Sequence, residues 1–154
     1  MKQLIYVIAS LCISGSCIAG EDKQTEAERV AQNEIREAVL RIKKDIESPN
    51  IKALQNIHFL SDKFTKFGPR NFERQDVIST NQSEAEFFSS MSEASYQVKD
   101  LKIDIFDNVG IATYYPEVSF IRNGKRVEAA GRQTLVFLLT DSGWKIVHEH
   151  GTGR

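Results

Sequence analysis

Near its C-terminal end the chain carries His148-Glu149-His150, two imidazoles on either side of a carboxylate. On an extended strand side chains alternate, so His148 and His150 point to one side and Glu149 to the other. Two histidines two residues apart are the spacing of zinc-binding His-x-His pairs. Such a site wants a third ligand, and only His58 or a distant carboxylate could supply it. The expectation is therefore no metal and no cofactor, with both histidines hydrogen-bonded near Arg132 and Thr134 as structural or interface groups. Glu149 reads differently. Among Leu135, Phe137 and Val147, with Tyr114 and Gln133 nearby, burial would raise its proton affinity, as a general base needs. The sequence offers no second catalytic partner to go with it.

These side assignments depend on the hairpin that holds the motif. Asp141-Ser142-Gly143 suits a three-residue loop in which glycine takes the left-handed position and closes a bulge. That register sets Thr140 opposite Trp144, Leu138 opposite Ile146, Val136 opposite His148 and Thr134 opposite His150. One face then carries Arg132, Thr134, Val136, Leu138, Trp144, Ile146, His148 and His150. The other carries Gln133, Leu135, Phe137, Leu139, Val147 and Glu149, joined across Asn123-Gly124 by Tyr114, Val118, Phe120 and Val127. Tyr114, Gln133, Leu135, Phe137, Val147 and Glu149 are the expected pocket lining. Arg132, Thr134, Trp144, His148 and His150 are the expected interface or structural cluster. Both faces are strongly apolar, and helices can cover only one, so the other calls for a symmetric dimer packed sheet to sheet.

The preceding chain supplies the helices. Thr25 and Glu28 form a capping box, and Ala31, Ile35, Ala38, Val39, Ile42 and Ile46 recur at three- and four-residue steps. A helix over 25–46 follows. Ser48-Pro49 reads as cap and first residue of a shorter helix burying Ile51, Leu54 and Ile57. The stretch 59–72 is turn-rich, with Phe64, Phe67, Phe72 and the breaker Gly68-Pro69. A third helix is expected over 83–91. From Tyr96 the period becomes two, with Val98, Leu101, Ile103 and Ile105 on a first strand. Asn123-Gly124 is a strong type I′ hairpin signal. Helices first and antiparallel strands afterwards is an α+β order.

The 154 residues hold 20 Lys and Arg against 21 Asp and Glu, a formal charge of −1. With no basic block, nothing points to nucleic acid. Residues 1–19 read as a secretory signal peptide, a positive start, an apolar run and small residues before cleavage after Ala19. This implies export, to the periplasm or medium of a bacterium, and a domain over 20–154. Both cysteines, Cys12 and Cys17, fall in that leader, leaving the mature domain without thiol chemistry. Ser14-Gly15-Ser16-Cys17 partly matches a lipoprotein site, and lipidation at Cys17 is the one route by which the protein would meet a membrane.

The closing pattern resembles the SnoaL-like family of the nuclear-transport-factor-2-like superfamily. An arginine, a threonine two residues on, an apolar strand, a turn, and Trp-Lys-Ile-Val-His-x-His with a hydroxyl residue stand here as Arg132, Thr134, Trp144, Lys145, Ile146, Val147, His148, His150 and Thr152. The stretch 45–68, with Ser61-Asp62-Lys63-Phe64-Thr65-Lys66-Phe67-Gly68, is similar to that family's second helix and following loop. The resemblance implies a cone: a strongly curved antiparallel sheet around helices, with a pocket at the open end. The association domain of calmodulin-dependent protein kinase II shares the ending, but two of its pocket arginines correspond to Leu135 and Gly151 here. An equivalent carboxylate-binding pocket is not expected. Three readings follow. The first is a noncatalytic dimer binding a small apolar or weakly polar molecule, or a partner protein. The second is an isomerase- or hydrolase-like enzyme with Glu149 as base. The third is a purely structural association domain, its pocket plugged by Phe64, Phe67 and Phe72.

Overall fold

A computed structural model of the protein describes residues 24–69 and 71–153. The expected leader over 1–19, with Cys12 and Cys17, lies outside the described residues. Helix α1 (Glu26–Glu47) begins at the capping box: Thr25 accepts from the Glu28 amide at 3.2 Å, and the Glu28 carboxylate accepts from the Thr25 amide at 2.7 Å. Its stripe of Ile35, Ala38, Val39 and Ile46 is buried, as the spacing predicts. Helix α2 (Ile51–Asn56) is capped by Asn50 and not by Ser48, because α1 runs on to Glu47 and takes Ser48 as its own C-terminal cap. The segment expected to be only turns contains β1 (Thr65–Gly68) and β2 (Asn71–Gln75). Helix α3 (Val77–Ser89) starts a turn and a half earlier than its apolar residues suggest, because Asp76 and Ser79 form a reciprocal cap.

Strands β3 (Ser92–Phe106), β4 (Val109–Arg122), β5 (Lys125–Thr140) and β6 (Gly143–Gly153) form an antiparallel meander. The six strands lie in the order β2-β1-β6-β5-β4-β3, with β1 parallel to β6. Asn123 and Gly124 both take positive φ, 52° and 70°, as a type I′ turn requires. Strand β3 slips register twice, near Glu93 and Asp100, both left-handed. Such bulges bend a strand and increase its twist. The sheet curls round α1 without closing, the α+β cone expected from the sequence.

The concave face holds the core: Ile35, Ala38 and Val39 of α1 meet Ile103, Ala112, Leu135, Phe137 and Ile146, with Phe64 beside them. Gly110 marks the tightest approach. A Cβ there would stand 2.1 Å from the terminal methyl of Ile35, so a larger residue would force that buried side chain to shift. A second cluster of Ile46, Leu54, Met91 and Phe120 lies toward α3, where Phe87 meets Phe120 edge-on.

The last hairpin departs from its expected register. Thr140 pairs with Gly143, Leu139 with Trp144 and Phe137 with Ile146; the extra residue enters at Val147, after which Val136 pairs with His148. Gly143 does take the left-handed backbone, φ 87°, but the bulge lies four residues later. A one-residue slip exchanges faces. Trp144 and Ile146 therefore belong to the concave side and not to the outer face with His148 and His150. Trp144 donates its indole N–H to Glu34 of α1 at 2.9 Å, and Ile146 is buried. The displacement follows from a change of neighbour along β6. Ile146 bonds the backbone of Ile57 and Phe59, whereas His148 to His150 pair with β1, and Val147 absorbs the mismatch.

Candidate functional site

The concave side opens into a cavity of about 450 Å³ between α1, α2, α3 and the curled sheet. Ile42, Ile46, Leu54, Phe87, Phe88, Met91, Val118 and Phe120 make most of its wall apolar. At one end stand four ionisable side chains, His58, Lys66, Glu84 and Glu149, from four separate segments of the chain.

Each is placed by a local reason. His58 follows α2, and the paired backbone bonds of Ile57 and Phe59 to Ile146 hold it at the sheet edge with its ring buried against Phe64. Lys66 sits on β1 directly beside Glu149 on β6, so their side chains leave the sheet on the same side. Glu84 lies one turn after Asn81 on α3, and that face turns toward the cavity.

Glu149 is engaged at both oxygens. One carboxylate oxygen accepts from His58 Nε2 at 2.9 Å and the other from Lys66 Nζ at 2.8 Å. Lys66 also pairs with Glu84 Oε1. His58 Nδ1 donates to Asn81 Oδ1 at 2.7 Å, so both ring nitrogens face oxygen acceptors, the pattern of an imidazolium. Burial opposes that charge, but the hydrogen bond and charge of Glu149, with Glu84 beyond, raise the affinity of His58 above its ordinary value. Burial likewise opposes ionisation of Glu149, yet Lys66 and His58 outweigh it and hold the carboxyl down to about 2. Lys66, caught between two carboxylates, is raised despite its own burial. Glu84 goes up, through burial and then the charge of Glu149, against the pull of Lys66 and His58.

Of the expected pocket residues, Tyr114, Gln133, Leu135 and Glu149 line the cavity. Phe137 does not: it is 0% exposed beneath α1. Val147 does not either, being the half-buried bulge residue. The expected rise in Glu149's proton affinity is reversed by two cations that the sequence reading did not place beside it. With its proton affinity lowered and not raised, Glu149 loses the raised basicity on which it read as a general base. His148 and His150 lie on the outer face: Thr65 Oγ1 and His148 Nδ1 are 2.8 Å apart, and Phe67 packs edge-on to both rings. Among the described residues, the three-member group that could hold a metal is His58, Glu84 and Glu149, and the Lys66 ammonium already bridges its two carboxylates. The third reading's plug is absent as drawn, since Phe64 belongs to the core while Phe67 and Phe72 are exposed.

Lys66 and Glu84 were missed, and His58 was weighed only as a zinc ligand. Tyr96 was missed too; its hydroxyl lies 3.3 Å from that of Tyr114, and both line the cavity. Burial raises the Tyr96 phenol to about 12 and holds that of Tyr114 well above its ordinary value. The one available signal was Lys66 itself, a lysine two residues after the buried Phe64 on a short segment.

Comparison with known proteins agrees with this fold. The model of a SnoaL-like domain matches residues 35–152. A nuclear transport factor 2-like superfamily protein from Salmonella enterica superposes with a TM-score of 0.72 at 20% identity, over 81% of this chain and 92% of that one. An NTF2-like protein with a cystatin-like fold from Novosphingobium aromaticivorans gives 0.63 at 13%, over 80% and 82%. The CaMKII hub of S. rosetta gives 0.65 at 19%, over 79% and 95%. No curated protein matches the chain.

Proposed function

The chain belongs to the SnoaL-like domain family, and from that premise we propose that it is an exported, noncatalytic module whose cone cavity binds a small, largely apolar molecule. The observation that carries the reading is the cavity itself, about 450 Å³ of mostly apolar wall ending in a compact polar group. Binding sites are typically of this size and composition, with a few polar groups fixing orientation. A neutral dye such as Nile red should bind saturably with gain of fluorescence. Ala129→Trp, which places an indole in the lumen from a half-buried wall position, should weaken that binding at least tenfold while the melting temperature stays near wild type. Absence of saturable binding to the wild type would overturn the reading.

The proposal includes a homodimer through the outer face of the sheet. Val109, Ile111, Val136 and Leu138 stay half-buried there with no helix of the described residues over them, and Tyr115 is 50% exposed. With Trp144 and Ile146 removed to the concave side, the patch is smaller than the sequence suggested but still contiguous across β4 and β5. Likeness to a kinase hub supports association through this fold. Sedimentation at micromolar concentration should give a dimer, and Val136→Lys should shift it to monomer. A monomeric wild type would remove this part of the reading.

A further inference from the structure

The ion group at the cavity end sets what the cavity accepts. Among the described residues it is charge-balanced, with His58 and Lys66 against Glu84 and Glu149. Both nitrogens of His58 are used, and each oxygen of Glu149 already accepts one hydrogen bond. One donor and one wholly unused oxygen are left in the group. An ammonium carries three N–H donors, and Lys66 spends two on the glutamates. Glu84 binds Lys66 through Oε1, while its Oε2 stands 3.8 Å from His58 Nε2, outside hydrogen-bond reach. Both side chains border the lumen. One donor and one acceptor therefore lie side by side on partners already joined to each other.

We infer that the ligand is neutral and presents a hydroxyl to this pair, accepting from Lys66 Nζ and donating to Glu84 Oε2; this rests on the cavity being a binding site. A hydroxyl is both donor and acceptor, so it satisfies both positions at once. A carboxylate meets the Lys66 proton but sets its second oxygen against Glu84. An ammonium meets Glu84 but stands against Lys66 and His58. Either charge would also enter an apolar cavity without a countercharge of its own, because every charge there is already paired. A purely apolar ligand leaves both positions without a partner.

Four probes of one skeleton test this by calorimetry: 2-naphthol, 2-naphthoate, the 2-naphthylmethylammonium ion and naphthalene. The expected order places 2-naphthol at least tenfold tighter than either ion and tighter than naphthalene. Equal binding of all four would leave the cavity reading standing and overturn the hydroxyl inference, as would tightest binding by either ion. Failure of all four, together with Nile red, would overturn the cavity reading itself. Glu84→Gln adds a second readout. Its amide oxygen can keep Lys66, which leaves an N–H₂ donor where Oε2 was, so two donors face the lumen. In that variant 2-naphthoate should gain at least tenfold relative to 2-naphthol, and an unchanged ratio in a folded Glu84→Gln protein would overturn the inference. Should that variant fail to fold, the order measured on the wild type decides alone.

Discussion

Replacing Lys66 with methionine should cost the domain about 3–5 kcal/mol, the usual penalty for removing one partner from a buried ion group. Methionine matches the length and volume of the lysine stem, so packing is largely kept and the loss reports the charge. What remains is Glu149, 8% exposed at its side chain, and Glu84, 17% exposed, with only His58 to balance them. The pH dependence separates this cause from simple misfit. In the wild type Glu149 is depressed to about 2, so its stabilising contribution is present above the ordinary carboxylate range and fades as pH falls through the folded value. His58 is raised, so its contribution is present below its ordinary 6.5 and is lost as pH climbs through the folded value. Glu84, already raised, favours the folded state more as it protonates. Without Lys66 both carboxyls move upward, and acid then relieves the strain of burying them. The deficit relative to wild type, read from urea unfolding, should shrink steadily from pH 7 to pH 4. A deficit of equal size at both ends would mean that lost packing, not charge, causes it.

How far the sequence reveals this arrangement depends on the range of the interaction. The capping box at Thr25, the stripe on α1 and the Asn123-Gly124 turn are local, decided within a few residues, and each stands where the pattern places it. Glu149 on the concave face was equally legible, because alternation works outward from His148 and His150. Trp144 and Ile146 were not. Their side depends on where one extra residue enters β6, and that is decided by Ile57 and Phe59, which bond Ile146 from far along the chain. The ion group was the least legible. Lys66 meets Glu149 only through a parallel pairing of two strands distant in sequence, and Glu84 arrives on a helix whose start was set by a cap at Asp76 and Ser79. No spacing rule joins four residues that come from four separate segments, and the pull of Lys66 and His58 on Glu149 is invisible until they are placed.

The same limit of alternation separates Leu135 from Phe137. Both face inward on β5, so a face assignment treats them alike, but the cone has depth. Leu135 borders the lumen opposite Glu149, whereas Phe137 lies toward the closed end, under Ile35 and beside Ile146, with none of its surface exposed. Phe137→Ala should therefore lower stability by about 3–5 kcal/mol, as loss of a fully buried aromatic ring does when the site cannot collapse around it. Gly110 and Ile35 are already at closest approach nearby, which leaves α1 little room to follow. Dye affinity, measured where the variant is still folded, should stay within about twofold of wild type, since the ring is no part of the wall. Leu135→Ala should also destabilise, but there the truncation enlarges the lumen beside the ion group and should change dye affinity by more than that. The two variants thus set stability and binding against each other on one strand face. A Phe137→Ala protein that kept its stability but bound dye tenfold more weakly would return that residue to the pocket wall and shift the lumen toward the closed end of the cone.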